Sequence, residues 1–297
     1  MNASPRARFA ARHIESITGY LFLLPDLLGL LIFLIIPIAY AFFISLHDWD
    51  GLSPMRWNGF DNYLNLFSDT QFWASLKITA IYTLIYVPVV YAISLGLALL
   101  VNQRLPFMRF FRTIFFVPVV LSLVVSSLMW KYIFDELAGL LNFLIGLIGI
   151  QPQAWLGSVE LALPSIIIVS VWIQMGYFMV IFIAGLQDIP REYYEAARID
   201  GANRWQMFFR ITLPLLKPTS LFVIVISLIA SFQVFDQIWV MTRGGPARAT
   251  EATAVYIYQQ AFQYLHLGYG SAVAFVLFVV ILSCSLIQFR LLRTTQS

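Results

Sequence analysis

Charge is what this chain has least of. Asp, Glu, Lys and Arg supply 11% of its 297 residues, against 60% that are hydrophobic; soluble domains carry roughly 25% charged residues. With a mean hydropathy of +0.82, that balance excludes an ordinary soluble globule. Cysteine is nearly absent: the single Cys284 excludes an intrachain disulfide framework and a cysteine metal site. Lysine occurs only as Lys77, Lys131 and Lys217, and none of them follows a glycine. The chain therefore lacks the G-K-[ST] loop that cradles nucleotide phosphates, so it is not expected to be a nucleotide-binding subunit. His13, His47 and His266 fall in tails or loops. No His-x-x-Glu or Cys pair points to a metal, and no Ser–His–Asp set points to hydrolysis. No catalytic residue, metal ligand or resident cofactor is expected, and the net charge of +3 reflects one-sided basic loops rather than nucleic-acid binding.

What is present in quantity is long apolar runs. Charge-free stretches cover 27–46, 78–101, 113–130, 161–187, 218–235 and 267–289, each close to the roughly 18–20 residues that cross about 30 Å of hydrocarbon as a helix. These predict an all-α polytopic membrane protein with spans near 20–45, 76–101, 112–133, 161–187, 219–242 and 268–289. The membrane domain is 20–290, with tails at 1–19 and 291–297. A seventh apolar stretch, 137–150, is short and interrupted by Gly139, Asn142, Gly146 and Gly149, which favours an interfacial or re-entrant helix. Charge asymmetry separates the two topologies. With six spans and the N-terminus inside, only Arg56, Lys77, Lys131, Arg243 and Arg248 of the 18 Lys and Arg lie outside. A seventh span would put most of them outside, against the positive-inside tendency. Both termini are therefore expected in the cytosol. The first run is too long for a secretory signal and lacks a small-residue cleavage site. It reads as a retained helix, with Pro25 and Pro37 kinking it or marking its ends. The acidic, aromatic loop 47–75, with Trp49, Trp57 and Tyr63, reads as an outer interface belt.

One segment breaks the apolar pattern. Residues 188–218 form an inner loop whose middle, 192–214, is a charged, helix-forming island. Pro190 suits a first helical position before a helix over 191–199, and Gly201 suits a left-handed stop. Asn203 and Gln206 read as an N-cap and partial capping box for a second helix. Pro214 and Pro218 punctuate the approach to the fifth span. Glu192, Glu195 and Ile199 lie three or four apart and share a face. Composition alone allows either a solvated, salt-bridged loop or a docking surface for a soluble partner.

The spacing within the island narrows this. Glu195-Ala196-Ala197, three residues, Gly201, nine residues, then Ile211-x-Leu213-Pro214 resembles the cytoplasmic signature of binding-protein-dependent ABC importer permeases. The resemblance covers most of the chain. It includes "FQVFDQIWVMTRGGP" at 232–246 and "LGYGSA" at 267–272, a combination typical of the carbohydrate-uptake (maltose and glycerol-phosphate permease-like) group. It implies that the island is a coupling helix seated in a groove of a cytosolic ATPase. Glu195 would ion-pair with that ATPase, Ala196 and Ala197 would permit close approach, and Gly201 would turn the chain. Glu192, Asp200, Ala202 and Arg204 complete the implied contact surface. The implied partners are a homologous second permease, two ATPase subunits that bind the ATP and Mg, an extracytoplasmic solute-binding protein and a carbohydrate solute. The implied location is a prokaryotic cytoplasmic (inner) membrane.

Polar residues on apolar spans mark the expected solute path. They are Gln174 and Tyr177 in the fourth span, and Ser227, Ser231, Gln233, Asp236 and Gln237 in the fifth. Amides and hydroxyls suit sugar hydroxyls, and Tyr177, Phe178, Phe232 and Phe235 offer faces for stacking. The competing reading is hydrogen bonding between helices. The absence of Lys and Arg deep in a span argues against an anionic solute. The rival function is an ion-coupled carrier or channel. It calls for ionisable groups within the bilayer, and only Asp26 and Asp236 come near, both towards span ends. Arg243-Gly244-Gly245-Pro246 reads as an outer turn, either plain or helping to dock the solute-binding protein.

Overall fold

Some of this chain's prolines lie where helices bend or stop, and others are absorbed within a helix. The computed structural model describes residues 20–103 and 106–293, with side chains through 290. The expected tail 1–19, Arg104 and residues 294–297 lie outside the described residues, as does the side chain of Arg293.

In chain order, α1 (Tyr20–Ser45) leads into a two-stranded antiparallel hairpin, β1 (His47–Asp48) and β2 (Arg56–Trp57), with His47 opposite Trp57. Then come α2 (Asp61–Ser68), α3 (Thr70–Val101), α4 (Met108–Val120), α5 (Leu123–Ile133), α6 (Leu140–Gly146) and α7 (Ala162–Gln187). The charged island supplies α8 (Arg191–Ile199) and α9 (Arg204–Leu215). The chain ends with α10 (Lys217–Phe232), α11 (Asp236–Met241), α12 (Thr253–Tyr258) and α13 (Leu267–Arg293). Four helices (α1, α3, α7 and α13) are each long and apolar enough to cross a membrane. Two bent pairs raise the number to six: α4 with α5, and α9 with α10. The fold is all-α apart from the small hairpin.

Several elements differ from their expected form. The third span is two helices meeting at 101°. Pro118 lacks an N–H and crowds the preceding turn, and Leu121 is extended immediately afterwards. The fifth span ends at Phe232 and restarts at Asp236, with Phe235 at φ −135°, ψ −59° between them. By contrast, α1 runs through both Pro25 and Pro37. A wider π-helical stretch at Leu31–Ile35 accommodates the Pro37 ring and its missing donor. Pro190 sits one residue before its helix, at the N-cap, rather than at the first helical position. The expected interfacial segment 137–150 contains only the seven-residue α6. Its Asn142 is buried and organises the loop. Nδ2 donates to the Glu136 and Gln153 carbonyls at 3.0 and 2.9 Å, and Oδ1 accepts from Gln153 N–H at 3.0 Å and Trp155 Nε1–H at 2.8 Å.

The described residues form two units, residues 20–67 with 260–275, and residues 68–259 with 276–293. In the first, Asn62 Nδ2 donates to the carbonyls of Ser45 (2.8 Å) and His47 (2.9 Å). His47 packs against Phe43 and Trp57. A Cβ on Gly268 would lie 2.0 Å from the His47 carbonyl oxygen, so the second position of the "LGYGSA" motif is a glycine because backbone fills the space. The core of the second unit lies between α3 and α7. Tyr82 stacks on Tyr86 at 5.4 Å and Tyr91 meets Phe182 edge-on at 5.2 Å, among buried Val90, Ile166, Phe178 and Met179. A Cβ on Gly176 would lie 2.1 Å from the Phe115 carbonyl; a bare glycine lets α4 press on α7, as small residues do in membrane bundles.

Candidate functional site

Three polar segments stand out from the apolar bundle: the island 188–212, the break at 233–236, and the loop 242–256.

The island is a helix–elbow–helix whose first helix is closed by backbone bonds and whose second is opened by a side-chain capping box. Asp200 ends α8, and Gly201 follows at φ +77°. The Ala202 N–H then donates to the Ala197 carbonyl at 2.8 Å and the Gly201 N–H to the Arg198 carbonyl at 3.1 Å. This double bond pattern is the glycine-stop motif, which satisfies the orphan carbonyls of a helix end. Asn203 starts α9 with a full capping box. Its side chain accepts from Gln206 N–H at 2.9 Å, and Gln206 Oε1 accepts from Asn203 N–H at 2.8 Å. Tyr194 and Thr212 hydroxyls, 2.9 Å apart, tie the two helices together. A cleft of about 340 Å³ lies in the elbow, lined by Ala197, Asp200, Gly201, Ala202 and Gln206 among others.

The elbow presents its charges outward. Glu192, Glu195, Ala196, Asp200, Gly201 and Arg204 are exposed, Ala197 and Ala202 are half-buried, and Ile199 is 87% exposed. Among the described residues, Glu192, Glu195, Asp200 and Arg204 make no ion pair; the one short pair is Arg248–Glu251, elsewhere. The salt-bridged loop that composition allowed is therefore not what forms. The fold here is held by local capping, which leaves the carboxylates uncommitted.

At the break, the chain passes from α10 to α11 through Gln233, Val234 and Phe235. Irregular backbone at membrane depth persists where it is buried in protein or lines an aqueous cavity. Gln233 is exposed, Gln174 and Asp236 are half-buried, Tyr177 is 38% exposed and Gln237 is buried. The two serines behave differently. Both are buried: Ser227 Oγ donates to the Ile224 carbonyl at 3.1 Å, and Ser231 Oγ donates to the Leu228 carbonyl at 2.7 Å and meets Thr83 Oγ1 at 2.9 Å. Two of the four aromatics expected to stack on solute are also enclosed, Phe178 at 1% and Phe232 at 7% exposure. Phe235 remains half-buried and forms a cluster with Trp239 (5.7 Å, near-parallel) and Tyr258 (5.2 Å). Trp239 was legible as the residue one turn beyond Phe235. Tyr258 was not, because it arrives from α12.

The loop 242–256 is tied to itself and to the start of α3. Arg243 and Gly244 have positive φ, and the Gly245–Pro246 bond is cis. Arg243 is exposed, Gly244 is buried, and Gly245 and Pro246 are half-buried. Thr250 Oγ1 donates to the Gly245 carbonyl at 2.6 Å and meets Thr242 Oγ1 at 2.7 Å. Glu251 is buried, accepts from Gln71 Nε2 at 3.0 Å and lies 3.7 Å from Arg248. Burial pushes its carboxyl above the usual range, opposed by Gln71 and Arg248. Tyr256 donates to Asp69, whose carboxylate also caps α3 through Gln71 and Phe72 N–H groups. Thr79 Oγ1 accepts from Thr253 N–H at 2.8 Å and meets Thr253 Oγ1 at 3.0 Å.

Residues 91–296 match the family model described as "Binding-protein-dependent transport system inner membrane component". The chain belongs to that family. The matched range contains the whole island, the break and the outer loop. The chain is 35% identical to the trehalose/maltose transport system permease protein MalF of Thermococcus litoralis, covering 95% of this chain and 96% of that one. It is 34% identical to the lactose transport system permease protein LacF of Rhizobium radiobacter, covering 97% and 98%. Its fold matches a chain in the crystal structure of a bacterial alginate ABC transporter in complex with alginate pentasaccharide-bound periplasmic protein. The TM-score is 0.84 at 26% identity, over 98% of this chain and 99% of that one. The chain is thus a multi-pass inner-membrane transport component with the ABC importer permease fold.

Proposed function

We propose that this permease is one of two membrane subunits of an ATP-driven importer for a sugar, glycoside or polyol. An extracytoplasmic binding protein delivers the solute, and a second permease and two ATPase subunits complete the assembly. Relatives named for maltose, trehalose and lactose, and a structural neighbour bound to an alginate-loaded periplasmic protein, support that solute class. The chain is a transport subunit, and ATP and Mg bind the partner ATPase. Both termini lie in the cytosol, with the bent pairs α4–α5 and α9–α10 each counting as one span.

The observation that carries the coupling reading is the elbow itself. Its exposed carboxylates at Glu192 and Glu195 have no partner ion among the described residues, while local capping at both ends fixes their positions. A rigid, charged elbow continuous with a span acts as a lever. Movement of an attached ATPase moves α10 as a rigid body and shifts the bundle between outward- and inward-open forms. Gln174, Tyr177, Gln233, Asp236 and Gln237 form the solute path beside the Phe235–Trp239–Tyr258 cluster, and Ser227 and Ser231 brace the wall behind it. Arg243 is the part of the outer turn available to a binding protein, with Gly244, Gly245 and Pro246 shaping that turn.

The direct test replaces Glu195→Lys together with Gly201→Val. Expected are normal membrane insertion, loss of ATPase co-purification and loss of ATP-driven uptake. Undiminished uptake and ATPase association would remove the coupling assignment. The solute class is read from the ligand that the cognate binding protein retains; an amino acid or a metal ion there would refute the sugar reading.

A further inference from the structure

A cavity of about 1140 Å³ opens between the last turn of α3, the first turns of α4, the end of α7 and one side of α8. Its lining has a one-sided charge. Arg109 and Arg112 come from α4 and Arg191 and Arg198 from α8, and no Asp or Glu is among the described residues that line it. On α8 the cavity-lining residues are Arg191, Tyr194 and Arg198, spaced three and four apart and so on one face. Glu192, Glu195 and Ile199 are not among them. Arg109, Arg191 and Arg198 are exposed and Arg112 is half-buried, so solvent screens part of their mutual repulsion, and an anion in the space they line would be attracted to all four.

Arg112 carries the second observation. Its Nε–H is enclosed and has no hydrogen-bond partner among the described residues, and its Nη2 reaches only the Val101 carbonyl, at 3.5 Å. An enclosed, unsatisfied donor is costly in a native fold and calls for a missing acceptor. The rest of the lining narrows the chemistry. Guanidinium forks match the oxygens of a phosphate. Leu99, Val101, Leu186 and Ile189 add an apolar wall that suits the glycerol and first methylenes of a lipid. The cavity also lies at the ends of α3 and α7, both long enough to span a bilayer, which is where headgroups sit. Basic pockets between spans at that depth are the usual seats of anionic headgroups.

We propose that this cavity binds a phosphate-bearing anion, either the headgroup of an anionic phospholipid or a soluble phosphate species, and that the anion ties the start of α4 to α8. This rests on the reading of α8 as the helix that contacts the ATPase. The bound anion would then brace the side of the lever next to Glu195, which lies four residues from Arg191 and three from Arg198.

The test uses the full chain in nanodiscs. Native mass spectrometry counts retained phosphatidylglycerol after exchange from mixed phosphatidylglycerol–phosphatidylcholine vesicles. Calorimetry with inorganic phosphate, in discs of phosphatidylcholine alone, tests the soluble source. Arg112→Gln with Arg198→Gln should weaken retention by about 30-fold, whereas the charge-matched Arg204→Gln with Arg210→Gln, outside this cavity, should not. Saturable phosphate binding that the first pair abolishes would assign the soluble source instead. Equal retention in both pairs, with no phosphate binding, would overturn the proposal. Should the first pair fail to fold, phenylglyoxal labelling of the unmutated chain decides. Phosphatidylglycerol or phosphate should protect Arg112 and Arg198 selectively, and unprotected labelling with both would overturn it. Failure of Glu195→Lys to uncouple transport would refute the ATPase reading and leave these binding results standing.

Discussion

Two polar segments flank the fifth span, and they use their polar groups in opposite ways. In the island, Glu192, Glu195, Asp200 and Arg204 face outward without an ion pair among the described residues, and shape is held by local capping: backbone bonds at Gly201 and the uncharged Asn203 and Gln206 side chains on their own backbone. In the 242–256 loop the side chains do the holding. Thr242, Thr250, Glu251, Thr253 and Tyr256 all bond within the loop or to the start of α3. Equal polarity in the sequence thus has two meanings. Uncommitted charge on a rigid frame is available to a partner, as the proposed coupling role requires, whereas committed hydrogen bonds are scaffold. Mutations in the first should change transport and spare the fold, and mutations in the second should do the reverse.

The largest expected effect breaks the island side. Glu195→Lys places a cation where the proposed ATPase contact would meet an anion. Disrupting one member of an interfacial pair costs about 2–5 kcal/mol, so ATP-driven uptake should fall by about 30-fold or more. The melting temperature of the purified chain should not move, because Glu195 touches no polar partner among the described residues. A matched loss of stability would mean the carboxylate belongs to the scaffold after all. On the other side, Thr79→Val leaves the Thr253 N–H without its acceptor in a fully buried position. That should cost about 1–3 kcal/mol of stability, seen as a lower melting temperature and lower abundance. Uptake per folded molecule should be unchanged. A specific loss of uptake at full stability would place the loop in the transport cycle.

How much of this contrast is visible in the sequence depends on the range of the interactions that create it. The elbow was legible almost to the residue, because Gly201, Asn203 and Gln206 act on their own backbone within one turn. Four of the six expected spans appear as single long apolar helices, and the other two appear as bent pairs. Their continuity was not legible: Pro118 breaks the third span while Pro37 is absorbed by a π-helical stretch, and what differs between them is packing. Gly176 in particular admits the α4 backbone to α7 just before that break. Ser227 and Ser231 looked like solute ligands because they share a helix face, yet Thr83 on α3 supplies a partner 148 residues away for Ser231. The Arg-lined cavity was likewise invisible as a unit. Its arginines were counted individually as inner-loop charge, and only folding brings 109–112 beside 191–198.

The smallest expected effect tests whether the outer loop's bonds are all favourable. Glu251 is buried, and burial raises its carboxyl pKa above the ordinary value, partly opposed by Gln71 and Arg248. For a raised carboxyl, folding favours the protonated form. The stability it contributes is complete below its unfolded pKa, near 4.5, and is lost as pH rises through the folded value. Arg248 does little to prevent this, because its side chain is 62% exposed and the 3.7 Å pair is screened. Glu251→Gln keeps the acceptor for Gln71 Nε2 and removes the titration. The variant should match the parent near pH 4 and melt a few degrees higher near pH 8, with the gap opening as pH rises. Uptake at neutral pH should be unaffected. Melting curves that coincide across that range would show that ionised Glu251 carries no burial cost. A variant less stable at high pH would make the Arg248 pair a real tie, and the outer loop would then hold charge as firmly as the island leaves it free.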